Sequence, residues 1–307
     1  MVAQPVEGPV PAISRVETRR DQSSGATPET PSGKGAGDEN FPVGSVLLPA
    51  RLRPCVMAFY DFARAADDIA DNPALDPGDK LARLDAMEAA LDRPENRDKG
   101  GRLAAELARH GLDTLHARAL LVAFRQDAVK SRYASLEELH FYCRNSADPV
   151  GRFLLDLHDG PHGVRAYPAS DGLCTALQIL NHLQDCGKDL AVMDRCYLPL
   201  DLLEAEGASV DDLRQSSLTP GLRRVLDRLL EDVDAQLARA ARLPRALRSR
   251  RLAMESAVII RLARRLARRL RRDDPLAMRV ELGRWDFLAA TVTGAIAGLI
   301  AGGRGAA

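Results

Sequence analysis

Apolar residues recur at helical spacing along nearly the whole chain after Phe41, and this periodicity constrains the fold more than any other feature. No window of four to eight residues alternates apolar and polar positions with the β-branched enrichment of a strand. The abundance of Ala, Leu and Arg also favours helix. We therefore predict an all-α fold. The predicted helices cover approximately residues 55–71, 77–92, 100–110, 113–130, 135–146, 149–158, 168–190, 198–207, 209–214, 219–242, 244–272 and 275–302.

The first 38 residues lack this periodicity. They are rich in Pro, Gly, Ser and Thr, a composition that cannot bury enough apolar surface to fold alone. We predict a disordered N-terminal tail over residues 1–38 and one domain over residues 39–307. No apolar stretch of suitable length follows the early positive charges, so a secretory signal is not expected and the protein is predicted to be cytoplasmic.

The charge balance and the cysteines exclude several classes of protein. The chain carries 43 basic and 43 acidic residues, so no net field favours nucleic acid, and no nucleic-acid partner is expected. The five cysteines are scattered along the chain and form no CxxC pair. An odd, scattered set fits buried thiols in a reducing cytosol better than a disulfide framework.

Three carboxylates crowd residues 63–72, which read ARAADDIADN. Like charges one helical turn apart repel, so this run requires an explanation. One helix face, which we call the first acidic ladder, carries side chains at offsets 0, 4, 7 and 11: Tyr60, Arg64, Asp67 and Asp71. Asp68 is turned about 100° from Asp67 and is expected to leave the Arg64 face. The outer two carboxylates are therefore the principal candidates.

A second segment has similar geometry. Residues 178–189 read QILNHLQDCGKD, and one face, the second acidic ladder, carries side chains at offsets 0, 3, 7 and 11: Gln178, Asn181, Asp185 and Asp189. Both ladders have apolar neighbours, and buried carboxylates must be paired, hydrogen-bonded or bound to metal. Such oxygen ligands suit several Mg²⁺ ions bridged by a diphosphate, with Arg64 as a phosphate partner. The alternative is two solvated or salt-bridged helix faces.

Two C-terminal segments fit either ordinary packing or membrane contact. Residues 242–272 surround an apolar stripe with arginines, as a bundle helix or a helix on an anionic membrane surface would. We favour the bundle helix and keep peripheral contact with the inner membrane surface as the alternative. Residues 287–302 carry no charge but fall short of the roughly 20 residues that span a bilayer. We predict a buried terminal helix there, with shallow membrane contact as the alternative.

Four stretches of the sequence resemble motifs of the squalene/phytoene synthase family. They are RAADDIAD (64–71), YCRNSADPVG (142–151), QILNHLQDCGKD (178–189) and DRCYLP (194–199). The resemblance extends over most of residues 39–290. Within the family, three longer stretches resemble the bacterial branch that makes hydroxysqualene for hopanoid biosynthesis: ENFPVGS (39–45), LRPCVMAFYDFARAADDIAD (52–71) and YCRNSADPVGRFLLDLH (142–158).

This resemblance implies a class I isoprenoid-synthase fold, a single-domain helical bundle around a central apolar cavity with both acidic ladders near its mouth. It implies two to three Mg²⁺ ions, held with the substrate diphosphate by Asp67, Asp71, Asn181, Asp185 and Asp189, with Asp68 as a secondary candidate. It further implies contacts with the diphosphate or the reacting allylic group from Tyr60, Arg64, Gln178, Asn181, Arg195 and Tyr197. Tyr142 is expected to line the cavity.

The branch resemblance implies a particular reaction. Presqualene diphosphate would lose diphosphate, and water would quench the carbocation to give hydroxysqualene, so no NADPH is expected. Functional coupling to an enzyme that supplies presqualene diphosphate is implied as well. Polar residues follow Tyr142 where the wider family usually has small apolar ones, and we hypothesise that Ser146 and Asn145 position the quenching water. The alternative is a polar helix end before Pro149.

Other functions remain open from the sequence. A squalene or phytoene/dehydrosqualene synthase would join two prenyl diphosphates head to head. Residues 67–71 also satisfy the DDxxD motif of chain-elongating prenyltransferases, although the second segment lacks a matching copy, and the spacing of the second acidic ladder parallels a terpene-cyclase metal site. A non-catalytic relative acting as a binding or assembly factor is disfavoured by the intact carboxylates on both ladders.

Overall fold

The computed structural model describes residues 49–283, 285–287 and 289–290, without the side chain of Pro161, and these residues contain helices but no strand. The α-helices are α1 (Arg53–Ala70), α2 (Pro77–Ala90), α3 (Lys99–Arg109), α4 (Leu115–Val129), α5 (Leu136–Ser146), α6 (Asp148–Asp159), α7 (Tyr167–Met193), α8 (Leu200–Ala205), α9 (Pro220–Ala240), α10 (Leu243–Ala246) and α11 (Arg250–Leu270). Short 3₁₀ helices cover Ala50–Leu52, Gly160–Ala166 and Val210–Arg214. The all-α prediction is confirmed. The tail predicted over residues 1–38 and its boundary lie outside the described residues.

The stretch predicted as one helix over residues 244–272 is broken between α10 and α11. At the break, the Asp159 carboxylate accepts hydrogen bonds from the backbone N–H groups of Arg248 and Ser249, at 3.0 and 3.3 Å. The Ser249 hydroxyl then caps α11 by accepting from the N–H of Leu252. A contact with a distant carboxylate thus ends one helix and starts the next, and the local sequence pattern does not show it.

The prediction of a helix beginning at residue 275 is wrong. Residues 275–279 form turns, bends and irregular backbone, because the Asp274 carboxylate accepts from the N–H groups of Leu276 and Ala277 and holds the chain in a turn. Helical residues appear at 285–287 and 289–290, and the rest of the segment predicted as a buried terminal helix lies outside the described residues.

The 27-residue helix α7 is the longest element, and it packs along α9. Around it lies one apolar cluster with contributions from α5, α9 and α11, while α1 to α4 enclose a second cluster. Helix α6 joins them, since Leu155 belongs to the first cluster and Phe153 to the second. The ring of Phe153 stacks on Phe59 of α1 with 4.0 Å between centroids. Helix α6 therefore links α1 and α7, the two helices that carry the acidic ladders.

The chain reverses sharply after α7. Asp194 adopts a left-handed conformation with φ 50°, and its side chain pairs with Arg132 at 2.8 Å. The following residues run beside the segment after α4, where the N–H of Cys196 donates to the carbonyl of Ser131 at 2.9 Å. This turn brings Arg195 and Tyr197 back against the end of α4. Among the described helices, none is both long and apolar enough to cross a membrane.

Candidate active site

Arg64 binds two carboxylates of its own helix. Its Nη1 lies 2.7 Å from Asp67 Oδ2, and its Nη2 lies 2.7 Å from Asp68 Oδ1. The expectation that Asp68 leaves the Arg64 face is wrong, because residues at i and i+4 are neighbours on a helix surface. The Asp68 side chain is 8% exposed, whereas that of Asp67 is 35% exposed. Asp67 is therefore the more accessible of the two.

Asp71 caps the C-terminus of α1 and is bound from a distant part of the chain. Nη1 of Arg195 donates to Asp71 Oδ1 at 2.9 Å. The same guanidinium donates to the phenolic oxygen of Tyr197 at 3.2 Å and, through Nη2, to the backbone carbonyl of Asp127 at 2.9 Å. Arg195 is buried, and these three hydrogen bonds hold its positive charge in place.

Asp127 is a site residue that sequence reasoning missed. It is buried at the end of α4 and accepts hydrogen bonds from Tyr142 at 2.7 Å and from Tyr197 at 3.0 Å. Burial raises the pKa of Asp127 to about 6, although Arg195 acts in the opposite direction. A signal was present, because Asp127 follows Leu120 and Phe124 at helical spacing on the apolar face of α4.

Three tyrosines and a histidine form a buried aromatic cluster next to Asp127. The members are Tyr133, Tyr142, His182 and Tyr197. The His182 ring stacks on Tyr197 with centroids 3.6 Å apart, and Tyr142 lies 5.3 Å from Tyr197. Burial raises the pKa of Tyr142 and of Tyr197 well above the usual value for tyrosine, and the negative charge of Asp127 raises it further. Both phenols therefore keep their protons.

Gln178 reaches the aromatic cluster through His182. Its Nε2 lies 3.1 Å from Nε2 of His182, one helical turn further along α7. Burial lowers the pKa of His182 to about 3, with Arg195 acting in the same direction, so the imidazole is neutral. Gln178 is half-buried and supports the ring that stacks on Tyr197.

The second acidic ladder presents a graded exposure along α7. Asn181 is exposed, Asp185 is intermediate and Asp189 is buried. Burial raises the pKa of Asp189 to about 7, and the charges of Asp185 and Asp71 raise it further, while Lys188 and Arg195 oppose them. Arg195 donates through its guanidinium to Asp71 at 2.9 Å and through its backbone N–H to the Asp189 carbonyl at 3.2 Å, so the C-terminal ends of the two acidic ladders lie close together.

Lys80 is a third cation at this site, after Arg64 and Arg195, and the sequence did not reveal it. Its Nζ donates to the backbone carbonyl of Ala70 at 2.8 Å, at the end of α1. Burial and the positive charge of Arg195 lower the pKa of Lys80, while Asp71 and Asp127 act in the opposite direction. Lys80 and Arg195 therefore approach the same carboxylates from α2 and from the segment after α7.

The donor set suits a metal ion that keeps ligands from outside the protein. Among the described residues, no group of three or more His, Cys, Asp or Glu side chains is arranged to hold a metal ion. Mg²⁺ is commonly held by one or two carboxylates together with substrate phosphates and water. Each ladder carries two or more carboxylates, with the Asn181 amide oxygen beside those of α7, and this number of oxygen ligands fits that manner of binding.

The structure separates the two residues proposed to position water. Ser146 has a buried hydroxyl, and no hydrogen-bond partner for it lies among the described residues. The Asn145 amide donates to the Phe141 carbonyl of its own helix at 2.9 Å. Asn145 also lines a cavity of about 340 Å³ with His116, Arg152 and other residues outside both acidic ladders. None of these contacts joins the Asn145 side chain to the aromatic cluster.

Tyr60, the first residue of the first acidic ladder, is half-buried on α1.

Acidic side chains from two helices of an all-α bundle, beside a buried arginine and tyrosines, define the class I isoprenoid-synthase type of protein. Residues 35–286 match the family model described as squalene/phytoene synthase. The chain belongs to the squalene/phytoene synthase family and is an enzyme of that family.

Similar proteins agree with this assignment. A hydroxysqualene synthase of Rhodopseudomonas palustris is 44% identical over 86% of this chain and 90% of its own length. Another, from Zymomonas mobilis, is 44% identical over 81% of this chain and 84% of its own length. The crystal structure of a squalene synthase from Alicyclobacillus acidocaldarius, 34% identical, superposes with a TM-score of 0.70 and covers 77% of this chain and 90% of that one.

Proposed function

We propose that this enzyme converts presqualene diphosphate to hydroxysqualene, releasing diphosphate and adding water to the carbocation, for squalene or hopanoid biosynthesis. The observation that carries the proposal is the position of Arg195: its guanidinium binds the Asp71 carboxylate at the end of α1 at 2.9 Å, and its backbone N–H donates to the Asp189 carbonyl of α7 at 3.2 Å. Three relatives of 41–44% identity are named hydroxysqualene synthases, which supports this branch of the family. An enzyme that supplies presqualene diphosphate is then its functional partner.

Mg²⁺ would be held with the substrate diphosphate by the two acidic ladders. The proposed ligands are Asp67 and Asp71 on one side and Asn181, Asp185 and Asp189 on the other, with Asp68 secondary because its side chain is only 8% exposed. When bound, two to three Mg²⁺ ions would neutralise the negative charge that develops on the departing diphosphate. The ladders alone are strongly acidic, so they would repel a diphosphate without such cations.

The cations of the chain bind and orient the diphosphate. Arg64 and Arg195 already contact Asp67 and Asp71, so each lies where the phosphate oxygens would replace or join the carboxylates. Gln178 holds the neutral His182 ring against Tyr197. The Tyr197 ring is stacked against both His182 and Tyr133, so the protonated phenol of Tyr142 is the one that offers an aromatic face to a carbocation. A buried phenol that keeps its proton is a poor nucleophile, so it does not capture the cation itself.

Ser146 is the proposed holder of the quenching water. Its hydroxyl is buried and has an unused hydrogen-bonding capacity, one helical turn after Tyr142. A water bound there would sit on the same helix face as the aromatic cluster. No reductant takes part in this reaction, so NADPH is not expected to change the product.

The second candidate is reductive or head-to-head synthesis of a hydrocarbon, favoured by the likeness to a solved squalene synthase at 34% identity. The two are separated by incubating the protein with Mg²⁺ and either presqualene or farnesyl diphosphate, with and without NADPH, and analysing products by mass spectrometry. Hydroxysqualene from presqualene diphosphate without NADPH is the expected result. Squalene formed only with NADPH, or a C40 product, would contradict the proposal.

A non-catalytic role as a binding or assembly factor predicts a different result. Such a protein would bind a diphosphate analogue no more tightly with Mg²⁺ than without it. We expect Mg²⁺ to increase the affinity, because the two acidic ladders need added cations before they can accept a diphosphate.

A further inference from the structure

The outer face of the C-terminal half of α11 carries a strip of arginine. The arginine strip comprises Arg261, Arg264 and Arg268, at offsets 0, 3 and 7 on this face, and Arg272, two residues after α11 ends. The last three are exposed, while Ala263, Leu266 and Leu270 on the opposite face are buried in the core. The apolar side of α11 is therefore used by the fold, and only its guanidinium side is available to a partner.

This strip has an excess of positive charge that the surrounding residues do not neutralise. Residues 239–272 contain thirteen arginines and a single acidic residue, Glu255, although the chain as a whole is neutral. Ion pairs between described residues engage Arg265, Arg269 and Arg271, but none engages Arg264, Arg268 or Arg272. Arg261 and Arg268 lie about 10 Å apart along the axis of α11, and Arg272 follows the end of the helix, so the charge is concentrated at the C-terminal end of α11.

An exposed tryptophan is next in sequence to a residue that is bound to α11. Asp286 is buried and pairs with Arg265 and, at 2.7 Å, with Arg269. Its neighbour Trp285 is 80% exposed, the largest exposed fraction among the exposed large hydrophobic side chains of the described residues. Tryptophan combines an apolar body with a polar N–H, which suits the boundary between water and lipid.

We propose that the α11 arginine strip and Trp285 form a docking face for the anionic surface of a lipid membrane. Arginine guanidinium groups complement lipid phosphates, and the indole ring would enter the interfacial layer. Two observations favour a membrane over nucleic acid or an acidic protein. The aromatic side chain is exposed and next in sequence to Asp286, which is bound to α11, and the sequence from 287 to 302 contains no charged residue. A membrane would also hold the water-insoluble product, a point that rests on the proposed function.

The chain provides its own reporter, because Trp285 is its only tryptophan. The full-length protein is mixed with vesicles of phosphatidylcholine alone or of equal parts phosphatidylcholine and phosphatidylglycerol. We expect sedimentation with the anionic vesicles and a blue shift of tryptophan emission, both reversed by high salt because the contact is electrostatic. Equal binding to neutral vesicles, or no emission shift on sedimentation, would overturn the proposal.

Charge reversal tests which face binds. The double variant Arg264→Glu, Arg268→Glu should lower the affinity for anionic vesicles at least about tenfold. The matched control is Arg93→Glu, Arg97→Glu, which changes the net charge equally at exposed positions between α2 and α3. An equal loss in the control, or tighter binding to double-stranded DNA than to vesicles at the same salt, would contradict the assignment. Turnover measured without vesicles reports the proposed function separately from docking.

Discussion

Arg195 donates from Nη1 to Asp71 Oδ1 at 2.9 Å and thereby ties the segment after α7 to the end of α1, 124 residues earlier in the chain. The same side chain reaches Tyr197 and the backbone of Asp127. The contact places a buried cation between the first acidic ladder and the aromatic cluster. Release of the diphosphate and stabilisation of the resulting carbocation would then occur on opposite sides of the Arg195 guanidinium.

Replacing Arg195 by Lys should lower kcat/KM by about 100-fold, because lysine keeps the charge but cannot make the forked contacts with three partners. Steady-state kinetics with presqualene diphosphate measures the loss. Arg214→Lys is the control, since Arg214 is exposed and pairs only with surface carboxylates. Near-normal turnover by Arg195→Lys would show that the fork is not needed.

Asp127→Asn should change the dependence of stability on pH. Because burial raises the pKa of Asp127 to about 6, the folded protein holds this proton more tightly than the unfolded chain does. The contribution of this bound proton to folding stability is therefore fully present below about pH 4 and is lost as pH rises through about 6. The free energy of unfolding, measured with urea at a series of pH values between these limits, should decline less with rising pH in the Asn variant than in the wild type. Parallel curves would indicate that Asp127 does not titrate in this range.

Asp71→Asn and Asp185→Asn should each raise the Mg²⁺ concentration required for half-maximal turnover, and chelation with EDTA should abolish turnover. Removing one carboxylate leaves the ladder with fewer oxygen ligands for the ion. Asp61→Asn on α1 is the matched control, because its carboxylate is 44% exposed and pairs with Arg102. A Mg²⁺ requirement unchanged in both ladder variants would remove the ladders as metal ligands.

Lys80→Met should weaken inhibition by inorganic pyrophosphate about tenfold in the presence of Mg²⁺, while Lys80→Arg should largely restore it. The reason is that Lys80 approaches Asp71 together with Arg195. If Lys80 only caps α1 through the Ala70 carbonyl, Lys80→Met would lower thermal stability without changing pyrophosphate inhibition.

The sequence predicted those parts of the site that repeat along one helix. Spacing by helical turns placed Arg64 with Asp67 and aligned Asn181 with Asp185 and Asp189, because residues three and four apart share a face. The same rule, applied to Arg64 and Asp68, would have predicted their ion pair. Around the helix axis Asp68 lies about 40° from Arg64, although it lies about 100° from Asp67.

Contacts between distant segments could not be predicted in this way. Asp127 and Lys80 belong to α4 and α2, and they join the site only because the chain turns back at Asp194 and α2 packs beside α1. Likewise, the break between α10 and α11 depends on the Asp159 carboxylate, 89 residues before Arg248. A single sequence contains no periodic signal for such contacts between distant segments.

Ser146→Ala should reduce the share of hydroxysqualene among the products and increase that of hydrocarbon formed when the carbocation loses a proton, because the variant loses the hydroxyl proposed to hold the quenching water. Asn145→Ala is the matched control on the same helix, and it should leave the product ratio unchanged because its amide is engaged by the Phe141 carbonyl. Gas chromatography with mass spectrometry on product from presqualene diphosphate measures both ratios. An unchanged alcohol share in Ser146→Ala would assign the water to another group, and a shift in Asn145→Ala alone would reverse the roles of the two residues.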